Sequence, residues 1–405
     1  VAAFIDGKIS LGAASRGDPL RAESFEYAVH LANSSETKLK ERTMDVKPDF
    51  ERIRKTARFE EPDRVPLAEI LIDYAIQSQF LGRPVAPDDL ESQVEFWLQA
   101  GYDYIPLTVG MMQPGKVTKE SKITKVIREV MLADSADADK EAAWNLELTS
   151  FIKTREDFEK FPWEVAAELD FDSFRKVKAL LPENMKVIAI SGKIFTLTWM
   201  LMGFNHFGLS LIMDEQLVAD VFKKVAEIQF QGLEEIFDMP HIAAVWAVDD
   251  LAFGNGPMIS PQAFRDHVFP WYQEMSRRCH EKDRLFMMHS DGDLKELMED
   301  IITIGVDVIQ PIDPTCLDIV EFKQMYGNRI CMVGNVSNEL LRSGTPAEVE
   351  SRVKELLEKV APGGGYCLGS GNSVPDWAQF KNYMAMRDST LKYGAYPIHI
   401  DQDIG

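Results

Sequence analysis

Eight short apolar runs recur along the chain, at residues 65–72, 104–107, 187–190, 243–248, 285–288, 306–309, 330–333 and 366–368. Each is nearly continuous in aliphatic or aromatic side chains and shows no polar alternation. That pattern marks parallel strands buried on both faces. Between the runs the apolar spacing turns helical and predicts helices over 48–59, 261–279, 294–304 and 346–360. Pro48 and Pro261 stand at first helical positions, where a missing N–H costs nothing. Ser260 and Thr345 precede their helices as capping residues, and Gly305 suits the end of the third. Strand, helix and turn in this repeat predict an α/β fold, a (β/α)8 TIM barrel over residues 48–400. Its closure leaves no sheet edge, and its active site belongs at the C-terminal ends of the strands.

Two stretches break the rhythm. Residues 1–47 are mixed and weakly periodic, which predicts an N-terminal extension that wraps the body or supports a homodimer. Residues 112–150 suggest extra strands around a polar turn at Ser135-Ala136-Asp137, an excursion above the barrel. A doubly wound α/β sheet is the alternative fold. No glycine-rich dinucleotide turn follows an early strand, which counts against it.

Composition narrows the function classes. Hydrophobic residues make up 45% and charged residues 27% of the 405, the balance of an ordinary globular protein. The formal charge is 44 − 65 = −21, with no basic stripe to offset it. Such a field repels phosphate backbones and anionic lipid, so neither nucleic acid nor membrane is an expected partner. The apolar runs are too short to span a bilayer. Val1 to Ile5 is followed at once by Asp6 and Lys8, unlike a secretory segment, so the expected location is cytoplasmic. Cys279, Cys316, Cys331 and Cys367 are widely spaced and read as reduced, mostly buried thiols.

Polar residues just beyond the runs point toward one basin: Glu69 and Asp73, Asp249 and Asp250, His289 and Asp291, Gln310 and Asp313, Asn335, and Ser370 with Asn372. Burying so many polar groups merely for packing would require many compensating hydrogen bonds. His289 and Asp291 lie two apart and can face the same way, and an imidazole with a carboxylate suits zinc or another divalent ion. Asn372 could add an oxygen. The alternative is that His289 simply bonds Asp291 or a carbonyl and holds a loop. Asp249 and Asp250 are paired acids in which mutual repulsion can create a proton donor. Adjacent strand residues face opposite ways, so one of them is expected in the basin, while the other is free to cap a helix or bond a loop. The stretch 195–204, with Phe195 and Trp199, either walls a flat pocket or packs as a helix on its neighbours.

Several segments resemble the uroporphyrinogen decarboxylase superfamily. They are Arg54 through Pro66, Asn255 through Pro261, His289-Ser290-Asp291-Gly292, Gly344 through Val349, Ala361 through Tyr366, and Tyr393 through Pro397. The resemblance spans about residues 50 to 400 and implies a (β/α)8 barrel. Decarboxylases of porphyrinogens in that superfamily carry an arginine-rich segment after the first strand. Here the matching stretch, Ile70 to Gln77, has no arginine before Arg83. An acidic basin without that clamp is a poor host for a polycarboxylate.

The chain is more similar to the corrinoid-dependent methyltransferase branch, which uses zinc held by a His-x-Cys pair and a later Cys. Matched position by position, the histidine is His289, the first cysteine is replaced by Asp291 and the later one by Asn372. The resemblance then implies a metal set of His289, Asp291 and Asn372, with zinc in a nitrogen and oxygen environment that suits oxygen substrates. The same replacements are also compatible with no metal. It implies methyl transfer from a methoxylated, aromatic small molecule to the cobalamin cobalt of a corrinoid protein, an O-demethylation. The catalytic set is then His289, Asp249, Asp250 and Asp291, with Glu69, Asp73, Trp199, Phe195 and Asn335 for substrate binding. A decarboxylase of another substrate and a non-enzymatic ligand-binding protein are the alternatives.

Overall fold

A computed structural model of the protein describes residues 47–110, 150–167 and 169–400. Apart from Lys47 and Ser150, the extension expected over 1–47 and the excursion expected over 112–150 lie outside the described residues.

Nine strands occur in the described residues: β1 Tyr104–Thr108, β2 Lys186–Gly192, β3 Ile242–Val248, β4 Ala252–Phe253, β5 Gly256–Pro257, β6 Leu285–His289, β7 Val308–Gln310, β8 Cys331–Val336 and β9 Tyr366–Ser370. Seven of them form one curled parallel sheet in the order β1-β2-β3-β6-β7-β8-β9, and β4 with β5 makes a short antiparallel hairpin. The strand order follows the chain without reversal. A doubly wound sheet reverses at its switch point, so that alternative falls. Strands such as β2 and β3 are buried along almost their whole length, which is why their sequences read as unbroken apolar runs.

The first apolar run does not become a regular strand. Residues 65–72 lie extended beside β9, bridged at Leu67 to Leu368 and at Ile72 to Val374. Toward β1 the link is a side chain: the Tyr104 hydroxyl donates to the Glu69 carbonyl and accepts from the Glu69 amide, at 2.6 and 2.8 Å. Pro106 of β1 offers no N–H across this junction, which interrupts a ladder there. The regular parallel sheet therefore has seven strands.

The expected helix over 261–279 is two helices, Pro261–His267 and Phe269–Glu281. Pro270 breaks it, because a ring at that position clashes with the preceding turn and removes a hydrogen bond. The Ser260 cap is present, donated to by the Ala263 amide, and Thr345 with Glu348 forms a full capping box ahead of Pro346–Lys359. The other two helices are shorter than their periodicity suggests, Glu51–Ala57 and Met298–Thr303. All four cysteines are free thiols. Among the described residues no helix is long and apolar enough to cross a membrane.

Candidate functional site

The C-terminal ends of β3 and β6 lie side by side, with Val248 abreast of His289, and His289 in turn abreast of Gln310 at the end of β7. From these ends Asp250, His289 and Asp291 converge. One ligand-capable atom from each lies within 4.8 Å of the others. His289 Nε2 is 3.7 Å from Asp250 Oδ1 and 3.9 Å from Asp291 Oδ1.

The hydrogen bonds around His289 orient its ring and select its tautomer. Gln310 Nε2 donates to the Asn372 carbonyl at 2.5 Å, and a carbonyl can only accept. The Gln310 amide is thereby oriented with its oxygen toward His289 Nδ1, 2.5 Å away, so Nδ1 carries a proton. In the neutral ring, Nε2 then presents its lone pair to the two aspartates. A carboxylate or carbonyl behind a ligating histidine does the same in metal sites.

Asp291 is held from the other side. The Asn372 Nδ2 group donates to its Oδ2, while its backbone amide donates to Asp250 Oδ1 at 3.2 Å. Its remaining oxygen, Oδ1, is buried and has no donor among the described residues. Burial pushes the Asp291 carboxyl up to about 6. His289 pulls it back down, and the charges of Asp250 and Asp313 add to the rise. A buried carboxylate oxygen without a donor and an imidazole nitrogen facing it are groups that one cation can share. The separations are within reach of one shared ion at bond lengths of about 2.0–2.2 Å. The donor set therefore fits a divalent metal held by Asp250, His289 and Asp291. Asn372 was expected as the third ligand, but it acts from behind, through its amide on Asp291.

The adjacent acids part ways. Asp250 has a side chain 45% exposed and belongs to the cluster, whereas Asp249 is fully buried and turned away. Asp249 accepts from the Phe195 and Thr196 amides, both at 2.7 Å, and from the Tyr272 hydroxyl. It thus caps the helix Ile194–Met202 across the strand gap, which corrects its expected catalytic place. Burial raises its carboxyl to about 6 despite the donors from Thr196, Tyr272 and Phe195.

Four expected substrate contacts are also relocated. Phe195 is buried in the core against Phe207 and Phe264. Asp73 accepts from the Ala75 amide as the cap of the helix Tyr74–Leu81. Asn335 carries Arg352 of the outer helix on its oxygen and gives its amide to the Ile312 carbonyl, so both its polar ends are engaged. Glu69 accepts from the Ser370 amide and hydroxyl, at 2.6 and 2.7 Å, clasping residues 65–72 to β9. Complete burial pushes Glu69 up to about 8, against the two Ser370 hydrogen bonds.

Trp199 does join an aromatic row. It meets Phe204 edge-on at 5.6 Å, and Phe204 meets Phe253 of β4 at 6.1 Å. The β4–β5 hairpin that carries Phe253 is pinned to the loop after β6 by the Asp293 amide on the Phe253 carbonyl, 2.9 Å. The Phe253 end of the row is therefore tied to the loop that carries Asp291.

Lys193 was missed in the sequence. It follows Gly192 at the end of β2, is buried, and takes a left-handed backbone (φ 55°, ψ 32°). Burial pushes its ammonium down to about 8, and the pull of Asp250, then of Asp249, opposes the fall. The signal was there: a single lysine between an apolar strand and a helix with no charge from Ile194 to Met202.

A family model described as uroporphyrinogen decarboxylase matches residues 147–393. Among solved structures, the chain is similar to a methyltransferase from Methanosarcina mazei at 14% identity. That likeness covers 84% of this chain and 98% of the other, with a TM-score of 0.57. At that identity the likeness is one of fold. No curated protein sequence matches this chain.

Proposed function

The chain belongs to the uroporphyrinogen decarboxylase family, and from that premise we propose that it is a methyltransferase. It takes a methyl group from a methoxylated aromatic small molecule and passes it to the cobalt of a corrinoid carried by a partner protein. The observation that carries this reading is the group of Asp250, His289 and Asp291, which gathers nitrogen and oxygen donors and no thiolate, with an aromatic row tied to the loop of Asp291. We read residues 65–72 as the eighth stave of a barrel, so that the group lies at its mouth.

An aryl methyl ether is inert unless its oxygen is activated as the methyl leaves. Zinc or a similar dication bound at this group would draw electron density from that oxygen. Nitrogen and oxygen ligands suit such a role better than soft thiolates do. The chain's own residues do the rest. Gln310 fixes the His289 tautomer, Asn372 aims Asp291, and the row Trp199–Phe204–Phe253 offers ring faces and edges to an aromatic substrate. A reduced corrinoid would supply the electron pair for the new bond to the methyl carbon, and the pair of the broken carbon–oxygen bond would stay on oxygen. The arginine clamp for a porphyrinogen has no counterpart in Ile70 to Gln77.

Metal analysis combined with methylcobalamin formation from cob(I)alamin and a panel of phenyl methyl ethers tests the proposal. Purified protein should carry a divalent metal and demethylate at least one ether. His289→Ala should lose the metal and at least ~100-fold in rate. Unchanged turnover in that variant would refute this placement of the centre. Carbon dioxide release without a corrinoid would favour a decarboxylase instead.

A further inference from the structure

Residues 65–72 and β1 do not ladder, and an outer helix reaches into their junction. Trp97 of the helix Leu90–Gln99 packs edge-on against Tyr102 at 4.7 Å and lies tilted on Tyr104 of β1 at 5.8 Å. Next to Trp97, toward the C-terminal ends of β1 and β2, lies a cavity of about 260 Å³. Ile70, Leu71, Pro106, Thr108 and Ile190 line it from the sheet side. None of Asp250, His289 and Asp291 lines it, and the strands they follow, β3 and β6, lie further round the sheet. It is a second site. An engineered cavity of about 150 Å³ holds benzene, so this one has room for a single ring with a short substituent.

Its polar lining is one-sided. Gln77 and Gln93 are both buried and both line it. Gln77 Nε2 donates to the Ile72 carbonyl at 2.7 Å, and Gln93 Nε2 donates to the Ala86 and Pro87 carbonyls, both at 3.0 Å. A carbonyl only accepts, so each side-chain amide is fixed with its nitrogen on these contacts and its oxygen turned from them. Gln77 Oε1 is buried and has no donor among the described residues. Native proteins rarely leave such an acceptor unpaired. The Asp88 carboxylate also lines the cavity, is exposed, and forms no ion pair among the described residues. No lysine, arginine or histidine lines it, and the hydroxyls of Thr108 and Ser173 can serve as donor or acceptor.

We propose that this cavity binds a small primary ammonium compound with a single-ring body, apart from the metal cluster and independently of the methyl-transfer reading. The three N–H groups of an ammonium match the two glutamine oxygens and the Asp88 carboxylate, while the ring packs on Trp97, Leu71 and Leu90. An anion would find no positive partner and would meet a chain of net charge −21. An alcohol or phenol brings one donor and leaves an amide oxygen unpaired.

The test titrates the full chain at pH 7 with benzylamine, benzyl alcohol and benzoate, followed by calorimetry. Benzylamine should bind once per chain with Kd on the order of 0.1–1 mM, benzyl alcohol ~10-fold more weakly, and benzoate not measurably. Leu71→Trp fills the rim from a position 38% exposed and should abolish benzylamine binding. Asp88→Asn should weaken benzylamine ~5–10-fold and leave benzyl alcohol unchanged. Gln77→Met should weaken benzylamine ~10-fold. If that variant fails to fold, the two changes at exposed positions still decide the matter. His289→Ala should leave benzylamine affinity as in wild type. No benzylamine binding to wild type, binding that survives Leu71→Trp, or binding lost in His289→Ala would overturn the site. Equal affinity for benzyl alcohol, or an unchanged Kd in Asp88→Asn, would overturn the ammonium assignment.

Discussion

Replacing Glu69 with glutamine should remove a steep pH dependence from the stability of this fold. Glu69 is completely buried where residues 65–72 meet β9, and burial pushes its carboxyl from 4.5 to about 8. The folded chain therefore keeps a proton that the unfolded chain gives up. By linkage, stability from this group is complete below about 4.5 and falls as pH rises through about 8. A shift of that size corresponds to ~5 kcal/mol in all, at about 1.4 kcal/mol per unit. Between pH 6 and 8 alone the share is ~2–3 kcal/mol. Glutamine keeps the shape, can accept from the Ser370 amide and donate to its hydroxyl, and does not titrate. Urea unfolding of wild type and Glu69→Gln at pH 6, 7 and 8 measures the difference directly. Other groups raised by burial, such as Asp249 and Asp291 at about 6, occur in both proteins and cancel. The stability gap should move in favour of glutamine by ~2–3 kcal/mol across that range. Parallel pH profiles would mean that Glu69 is ionised in the folded state. A folded Glu69→Gln with activity lowered more than ~100-fold would return Glu69 to the substrate site.

The adjacent acids should separate cleanly. Asp249→Ala strips the cap from two buried amides and should cost ~2–4 kcal/mol in urea unfolding while bound metal is retained. Asp250→Ala should leave the midpoint within ~0.5 kcal/mol and lower the metal content, read by elemental analysis. The opposite pairing of outcomes would reverse their roles. Gly292→Ala meets backbone on both counts: φ is 91°, and the new Cβ would lie 2.5 Å from the Ala252 carbonyl oxygen. It should cost ~2 kcal/mol or more and disturb the hairpin bearing Phe253, seen as a lowered melting temperature and weaker binding of aromatic ligands. An unchanged melting temperature would show that the hairpin yields freely.

The apolar runs alone determined most of the architecture. Strands buried on both faces must be continuous in apolar side chains, so seven of the eight runs appear in the sheet nearly where expected. Capping chemistry is equally local, and Ser260 and Thr345 behave as their neighbours in sequence require. The one run that failed to ladder faces Pro106 at its junction with β1, and Pro270 likewise divided a helix. Both effects are local as well, though periodicity alone passes over them. That His289 and Asp291 come together was legible because their spacing of two sends both side chains the same way off one strand end.

Which polar group enters the site was decided only in three dimensions. Asp249 and Asp250 are neighbours in sequence. One meets the amides of a helix that starts more than fifty residues earlier, and the other meets the imidazole on the next strand. Asn335 follows an apolar run and Glu69 interrupts one, but their partners are an arginine on an outer helix and a serine some three hundred residues further along the chain. A polar side chain goes where its hydrogen-bond partner lies, and those partners come from segments that sequence spacing cannot bring together. Lys193 shows the same limit most clearly. As a letter in the chain it is an ordinary lysine, and only burial beside two acids turns it into a charge that needs explaining.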